Sequence, residues 1–319
     1  AARTGLDESQ VAAALGRARR ALYDVRSRRP WPGKDDKIVA SWNGLMIRAF
    51  VEAARAFQRD DFLDAAVRAS RFLDTHLVRD DRAARAALGG RISAAGVLED
   101  QASLGLAFLD VYGATFDPWW LDRSAQLTRA AVAHYRDPDT GDWFDTANDA
   151  ESLIVRPRDF TDNATPAGRS LVAELLLAWA DLDDRSDWRE AASAIVSSAA
   201  ETLGRYPQAL GHLAGVADTL VNGSTQLALV GDPASEPFRE LAARAGGLFV
   251  PGLVLAGGPS GTLRPALLHG RSADGGLATA WVCHGFACDL PTSDGPAMER
   301  QLTARAGDGA AGPAPVQPV

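Results

Sequence analysis

The chain has 319 residues, 46 % of them apolar, and a formal net charge of −8. That supply of apolar side chains suffices for a sizeable core, yet no apolar run is long enough to span a bilayer, and the acidic balance argues for solubility and against a nucleic-acid partner. No signal-peptide pattern opens the chain, and two cysteines, Cys283 and Cys288, are too few for a disulfide framework and suit a reducing cytoplasm.

Helical periodicity dominates from the start. Val11, Leu15, Ala18 and Leu22 predict a first helix ending near the basic run 26–29. Trp42, Met46, Ala49, Phe50, Ala53 and Phe57 predict a second, with Ser41 as N-cap and Trp42 facing inward. Leu63, Ala66, Val67, Ser70 and Leu73 form the next stripe, opened by Asp60 and Asp61. Ala102, Leu106, Leu109 and Phe116 form another, and Asp117-Pro118 then starts a partner carrying Trp120, Leu127, Ala131 and Tyr135. Pro166 opens a helix with Leu171, Leu175, Ala178 and Trp179; its partner runs from Asp187 through Trp188, Ala192, Ile195 and Ala199. A further helix follows Tyr206-Pro207. Like Trp42, Trp179 is expected to be substantially buried. Beyond residue 220 the pattern turns extended, and segments 226–230, 248–255 and 278–282 read as short strands that close or cap the helical body. No linker splits residues 1–305, which read as one domain. The small residues, Gly and Pro of 306–319 predict a disordered tail. Residue 1 is Ala, so the chain is expected to be processed or cut from something longer.

The links alternate. Helices starting near Ser41, Asp100 and Pro166 are each followed by a short turn and a second helix, whereas the onward connections are long. This is the signature of stacked antiparallel helix hairpins, and it places all the long loops at one end of the stack. Those loops also carry the unusual chemistry: Asp35-Asp36-Lys37 with Trp42-Asn43, then Glu99-Asp100, Phe144-Asp145 and Asp162-Asn163. Each cluster alone has an inexpensive structural explanation, because carboxylates at helix starts are favoured by ~0.3–1 kcal/mol. Together they put several acidic positions on one rim. Hydrolysis of a glycosidic bond needs two carboxyl groups across a cleft, one protonated and one ionised. Asp36, Asp100 and Asp162 are therefore the candidates for acid/base or hydroxyl-binding roles. Asp35, Lys37, Trp42, Asn43, Glu99, Phe144, Asp145 and Asn163 are the candidates for lining the pocket.

Other chemistries find less footing. The segment from Cys283 to Cys288 is no Cys-x-x-Cys motif and lacks the four ligands of a zinc site; local packing or a disulfide is expected. Gly257-Gly258-Pro259-Ser260-Gly261 lacks the Lys of a phosphate loop. The five histidines are scattered, so no histidine-based epimerase site, metal site or cofactor is expected.

Several of these residues resemble a known family. Asp35-Asp36-Lys37-Ile38 with Ser41-Trp42-Asn43-Gly44-Leu45-Met46-Ile47 is close to verbatim, and Leu98-Glu99-Asp100, Phe116-Asp117-Pro118, Trp143-Phe144-Asp145-Thr146, Arg156-Pro157 and Asp162-Asn163-Ala164-Thr165-Pro166 follow in the same order. Val230-Gly231-Asp232-Pro233 and the segment from Val282 to Pro291 complete the match. The chain resembles the YyaL-type, spermatogenesis-associated thioredoxin-domain-containing proteins. The resemblance implies a mainly α fold comprising the later hairpins of an (α/α)6 toroid of the six-hairpin glycosidase type, similar to N-acylglucosamine 2-epimerases and glycoside hydrolases, with a few short strands. The family's N-terminal thioredoxin-like domain and first hairpins are absent from this sequence. Gln101 stands where Tyr is usual, and Ala167 and Arg169 stand where Ser and Asn are usual. What the resemblance implies is a glycosidase- or epimerase-like cleft for a small sugar-like ligand. The alternatives are a non-catalytic scaffold, or a module supporting thiol-redox chemistry of a thioredoxin-like domain. An arc of later hairpins also leaves an apolar flank on the helix 40–57, to be covered by self-association or a partner chain.

Overall fold

A computed structural model describes residues 5, 7–152, 154–285 and 287–304. The tail expected over 306–319 lies outside them. The chain forms two compact units, Ala1–Lys37 and Ile38–Val319.

The first unit holds one helix, α1 (Glu8–Ser27). A capping box starts it: the Asp7 carboxylate accepts the Gln10 N–H, and the Gln10 side chain accepts the Asp7 N–H. None of its residues is buried, and Leu15, Leu22 and Tyr23 stand exposed.

The second unit is mainly α and is built from successive helix hairpins. Its first hairpin is α2 (Ala40–Phe57) with α3 (Asp60–Leu77), its second α4 (Leu98–Thr115) with α5 (Pro118–Tyr135), and its third α6 (Gly168–Asp183) with α7 (Ser186–Arg205); α8 (Gly211–Asn222) follows. The three short links are alike. Each helix ends on a residue in the left-handed region, Gln58 (φ 51°), Phe116 (φ 55°) or Asp184 (φ 50°), whose N–H returns to the carbonyl four residues back. One residue, Arg59, Asp117 or Arg185, then leads into the partner, the first two of them extended. Asp117 caps α5 as expected, accepting the Trp119 N–H with Pro118 in the first turn.

Helices α2, α4, α6 and α8 pack side by side, with α3, α5 and α7 behind the first three. Glycine sets the close approaches. A Cβ on Gly44 of α2 would come within 2.4 Å of the Ser103 Oγ of α4, and one on Gly168 within 2.7 Å of the Glu99 nitrogen. The long connections knit together at the shared N-terminal end. Residues 78–97 form the small strands β2 (Val78–Arg79), β3 (Arg82–Ala83), β4 (Ala86–Leu88) and β5 (Arg91–Ile92), with β1 (Ile38–Val39) pairing antiparallel to β4. The Leu98 N–H donates to Asp145, the Asp145 N–H to Pro157 and the Asp162 N–H to Ala209.

Two expectations on α2 are corrected. Ser41 is not the N-cap: the helix already starts at Ala40, and Ser41 is buried inside its first turn. Trp179 is buried at 1 % exposure, but Trp42 is 58 % exposed and Met46 55 %. The face of α2 that meets its neighbours is the small-residue stripe Ala40, Ser41, Gly44, Ile47, Val51 and Ala54. That stripe permits close packing, and the larger apolar side chains are left on the other flank.

The extended segments form a mixed sheet in the order β7-β6-β8-β9, from β6 (Thr225–Val230), β7 (Leu253–Gly258), β8 (Thr279–His284) and β9 (Ala287–Cys288). Of the predicted strand 248–255, only the part from Leu253 belongs to β7. Helix α9 (Glu236–Gly246) joins β6 to its parallel neighbour β7, and α10 (Gly295–Thr303) packs on α9. Alternation along β6 serves two cores: Leu227 and Leu229 pack with Phe238 and Met298, whereas Ala228 and Val230 join the core of the helical hairpins. The sheet lies across the C-terminal ends of α4 and α6, where the Tyr112 hydroxyl bonds Gly257 and the Ala266 N–H bonds Asp183. Among the described residues no helix is long and apolar enough to cross a membrane.

Candidate functional site

Two of the candidate carboxylates, Asp100 and Asp162, are held at helix starts. Asp100, in the first turn of α4, is fully buried; its carboxylate accepts the N–H groups of Val97 (3.0 Å) and Ser41 (3.1 Å) and an Arg85 N–H at 2.9 Å. Burial pushes this carboxyl up, and those donors pull against it. Arg85 also reaches Glu99 at 3.3 Å. The other Glu99 oxygen is buried with no hydrogen-bond partner among the described residues. Asp162 accepts three main-chain N–H groups, from Ala167 (2.9 Å), His212 (2.9 Å) and Leu213 (3.2 Å), so it ties the start of α6 to the start of α8. Asp145 differs. Burial, aided by the nearby charges of Asp159 and Glu99, pushes its carboxyl up to about 6.

The remaining expected site residues are scattered in character. Asp35, Asp36 and Lys37 lie in the first unit, where Lys34 pairs with Asp36 at 2.8 Å and Lys37 with Asp35 at 3.2 Å. The main-chain and side-chain N–H groups of Lys37 hold the exposed Asp35 carboxyl below its ordinary range. Trp42 points outward on α2, and Asn43 donates to the Val39 carbonyl within its own turn. Phe144 is buried under two guanidinium groups, Arg156 at 3.9 Å and Arg158 at 4.4 Å from its ring centre. Asn163 is an exposed turn residue whose N–H bonds Thr165. Gln101 is buried and its amide bonds the Asp81 and Leu127 carbonyls and the Ala83 N–H. Arg169 is likewise enclosed, bonding Ile195 and Ser198.

A second cluster lies further along the same helices. Arg48 of α2 bonds Asp110 of α4 at 2.8 Å and grips both oxygens of Glu174 of α6, at 2.6 and 2.9 Å. The His212 Nε2 of α8 meets the same Glu174 at 2.8 Å. Each of the four adjoining helices thus supplies one member. Burial alone would raise the Glu174 carboxyl, but the Arg48 charge, with hydrogen bonds from His212 and Arg48, holds it well below the usual range. Two turns on, Asp181 of α6 is 2 % exposed and is pushed up by burial, against donors on Ser224, Arg189 and Gln226. One of its oxygens has no hydrogen-bond partner among the described residues.

Glu174, Asp181 and His212 line one cavity of about 410 Å³, walled by α6, α8 and residues 251–254. Arg48, Asp110 and Glu174 also border a second hollow of about 330 Å³. Glu174, Ala178 and Asp181 recur at helical spacing, so they share one face of α6. Sequence reasoning missed this cluster and expected no histidine-based site; the fold instead sets His212 against a carboxylate. The available signal was a single charge inside an apolar helical run, as in Leu171-Val172-Ala173-Glu174-Leu175-Leu176-Leu177.

Comparisons with known proteins follow the motifs. No family model matches the chain. The chain is similar to spermatogenesis-associated protein 20. The Mus musculus protein is 28 % identical over 313 residues, covering 92 % of this chain and 39 % of that protein, and the Homo sapiens protein gives the same figures. This chain therefore spans well under half the length of those relatives. Among solved structures, cellobiose 2-epimerase from Bacillus thermoamylovorans aligns with a TM-score of 0.44 at 15 % identity, over 52 % of this chain and 45 % of that one. A GH76 α-mannanase of Bacteroides thetaiotaomicron gives 0.44 at 14 %, over 53 % and 46 %.

Proposed function

We propose that the second unit binds a small sugar-like ligand in the cavity beside α6 and moves protons on it, with Glu174, Asp181 and His212 as the working groups. One observation carries this reading: a single cavity is lined by a carboxyl held low by a guanidinium and by another pushed up by burial. Two carboxyls whose surroundings drive them apart are what an acid and a base require. Glu174 stays ionised, orients the His212 imidazole and balances its charge when it takes a proton. Asp181 supplies the proton. Arg48 holds Glu174, and Asp110 holds Arg48. The motif resemblance to the spermatogenesis-associated thioredoxin-domain-containing family, which implies a barrel of the six-hairpin glycosidase type, supports the choice of ligand class.

In this reading Asp100 and Asp162 are positioning residues, because main-chain amides occupy their oxygens. Glu99 and Asp145 remain as rim carboxylates for ligand hydroxyls. The bare flank of α2 around Trp42 and Met46 meets a neighbour, either from a longer chain or from a second copy. The test is a panel of mono- and disaccharides, read by thermal shift and by turnover. At least one sugar is expected to raise the melting temperature of the wild type and to lose that effect in Glu174→Gln. Glycoside cleavage would mark a hydrolase, and solvent deuterium entering a sugar carbon would mark an epimerase. A panel without any response sinks the proposal.

A scaffold is the second reading, favoured by the closure of Asp100 and Asp162 on main-chain amides. It predicts that Glu174→Gln and His212→Asn leave every measurable property except stability unchanged.

A further inference from the structure

Cys283 of β8 stands opposite Cys288 of β9, and the two form a disulfide. Cys283 is buried, whereas Cys288 is exposed. The Arg271 Nη2 lies 3.3 Å from both sulfurs. Its Nη1 donates to the Leu267 carbonyl, and the Trp281 ring lies 6.0 Å from its central carbon. Among the described residues no carboxylate pairs with this guanidinium, and burial lowers its affinity for its proton. The charged or titratable residues next to the two cysteines in sequence are His284 and Asp289. His284 faces the Thr225 hydroxyl and the Gln301 carbonyl and stands 4.0 Å from Asp289.

A half-buried guanidinium gains little from a disulfide, whose sulfurs are neutral and weak acceptors. Against a thiolate the same contact becomes a charge-assisted hydrogen bond, the setting that makes cysteines acidic. The position of Arg271 therefore fits the reduced pair better than the oxidised one.

We propose that Cys283 and Cys288 form a dithiol–disulfide redox centre that takes electrons from an external dithiol, with Arg271 holding the leaving thiolate. The donor's thiolate attacks the exposed Cys288 sulfur. The S–S bond breaks, and its electron pair leaves on Cys283 beside Arg271. The donor's second thiolate then attacks the donor sulfur of the mixed disulfide and expels the Cys288 thiolate. The donor ends as a disulfide and the protein as a dithiol, with two electrons and two protons transferred.

The experiment uses the intact protein with dithiothreitol, then with glutathione buffers at neutral pH, counting free thiols by alkylation and mass. Dithiothreitol should open the disulfide without unfolding the chain. Arg271→Gln should need about tenfold more reducing buffer to reach its midpoint, as expected for losing a charged hydrogen bond, and Arg271→Lys should recover part of the shift. A disulfide that opens only in denaturant, or an Arg271→Gln midpoint equal to the wild type, overturns the proposal. If Arg271→Gln fails to fold, thiolate absorbance of the reduced wild type decides. It should rise below the ordinary cysteine value of about 8.5, and a rise only above that value also overturns the proposal.

Discussion

The rim and the α6 cavity use the same residue types in opposite ways. At the rim, Asp100 and Asp162 spend their oxygens mostly on main-chain N–H groups, those of Val97 and Ser41 for one and of Ala167, His212 and Leu213 for the other. At the cavity, Glu174 faces only side chains in its described bonds, Arg48 and His212. A carboxylate bound to amides fixes where helices begin. A carboxylate bound to side chains is held in place and still faces groups that exchange protons. Here the recognisable motifs mark the first kind and sit at the N-terminal ends of α4 and α6. The second kind lies further along the same helices, where no motif advertises it.

The largest expected effect tests the rim. Asp100→Ala strands two main-chain donors and Arg85 around a fully buried position, which should cost about 3 kcal/mol in urea unfolding. Glu174→Gln keeps the side-chain shape and leaves Arg48 paired with Asp110, so about 1 kcal/mol is expected. Equal costs would erase the distinction between the two regions. Next in size is Asp162→Asn. One amide oxygen replaces two carboxylate oxygens facing three N–H groups, and about 1–2 kcal/mol should be lost while any sugar response survives. A normally folded Asp162→Asn protein without turnover would move Asp162 into the catalytic set.

Much of the helical stack was legible because hydrophobic period and turn chemistry are local. Asp117-Pro118 marked the start of α5, and the alternation of short and long links placed the loops at one end. What failed was the side of α2. Trp42, Met46 and Phe57 form a stripe at helical spacing, yet the buried stripe is Ala40, Gly44, Ile47, Val51 and Ala54. Period alone does not say which of two apolar faces meets the neighbour, and small residues win where backbones approach closely. The cavity was illegible for a related reason. Arg48, Asp110, Glu174 and His212 are far apart in sequence, and only the packing order of α2, α4, α6 and α8 brings them into one chain of contacts. Trp42→Ala should therefore change stability by no more than ~0.5 kcal/mol. It should still weaken any self-association seen by light scattering, since that flank is the one proposed to meet a neighbour. A large drop in melting temperature of the monomer would restore the inward reading.

The smallest expected effect is on how stability varies with pH, and Glu174 and Asp145 should differ in sign. Glu174 is held below its unfolded value of 4.5, so the unfolded chain binds more protons near and below that pH. Its contribution is present above about 4.5 and is lost as the pH falls. Asp145 is pushed up from 3.8 to about 6, so between those values the folded chain holds the extra proton. Its contribution is present below 3.8 and is lost as the pH rises through about 6. Melting curves across about pH 3 to 8 separate the two. Glu174→Gln should flatten the acid limb alone, whereas Asp145→Asn should remove the decline between 3.8 and 6 and gain on the wild type toward neutral pH. If Asp145→Asn keeps the wild-type slope in that window, Asp145 is not the raised carboxyl of the rim and has no part in proton chemistry.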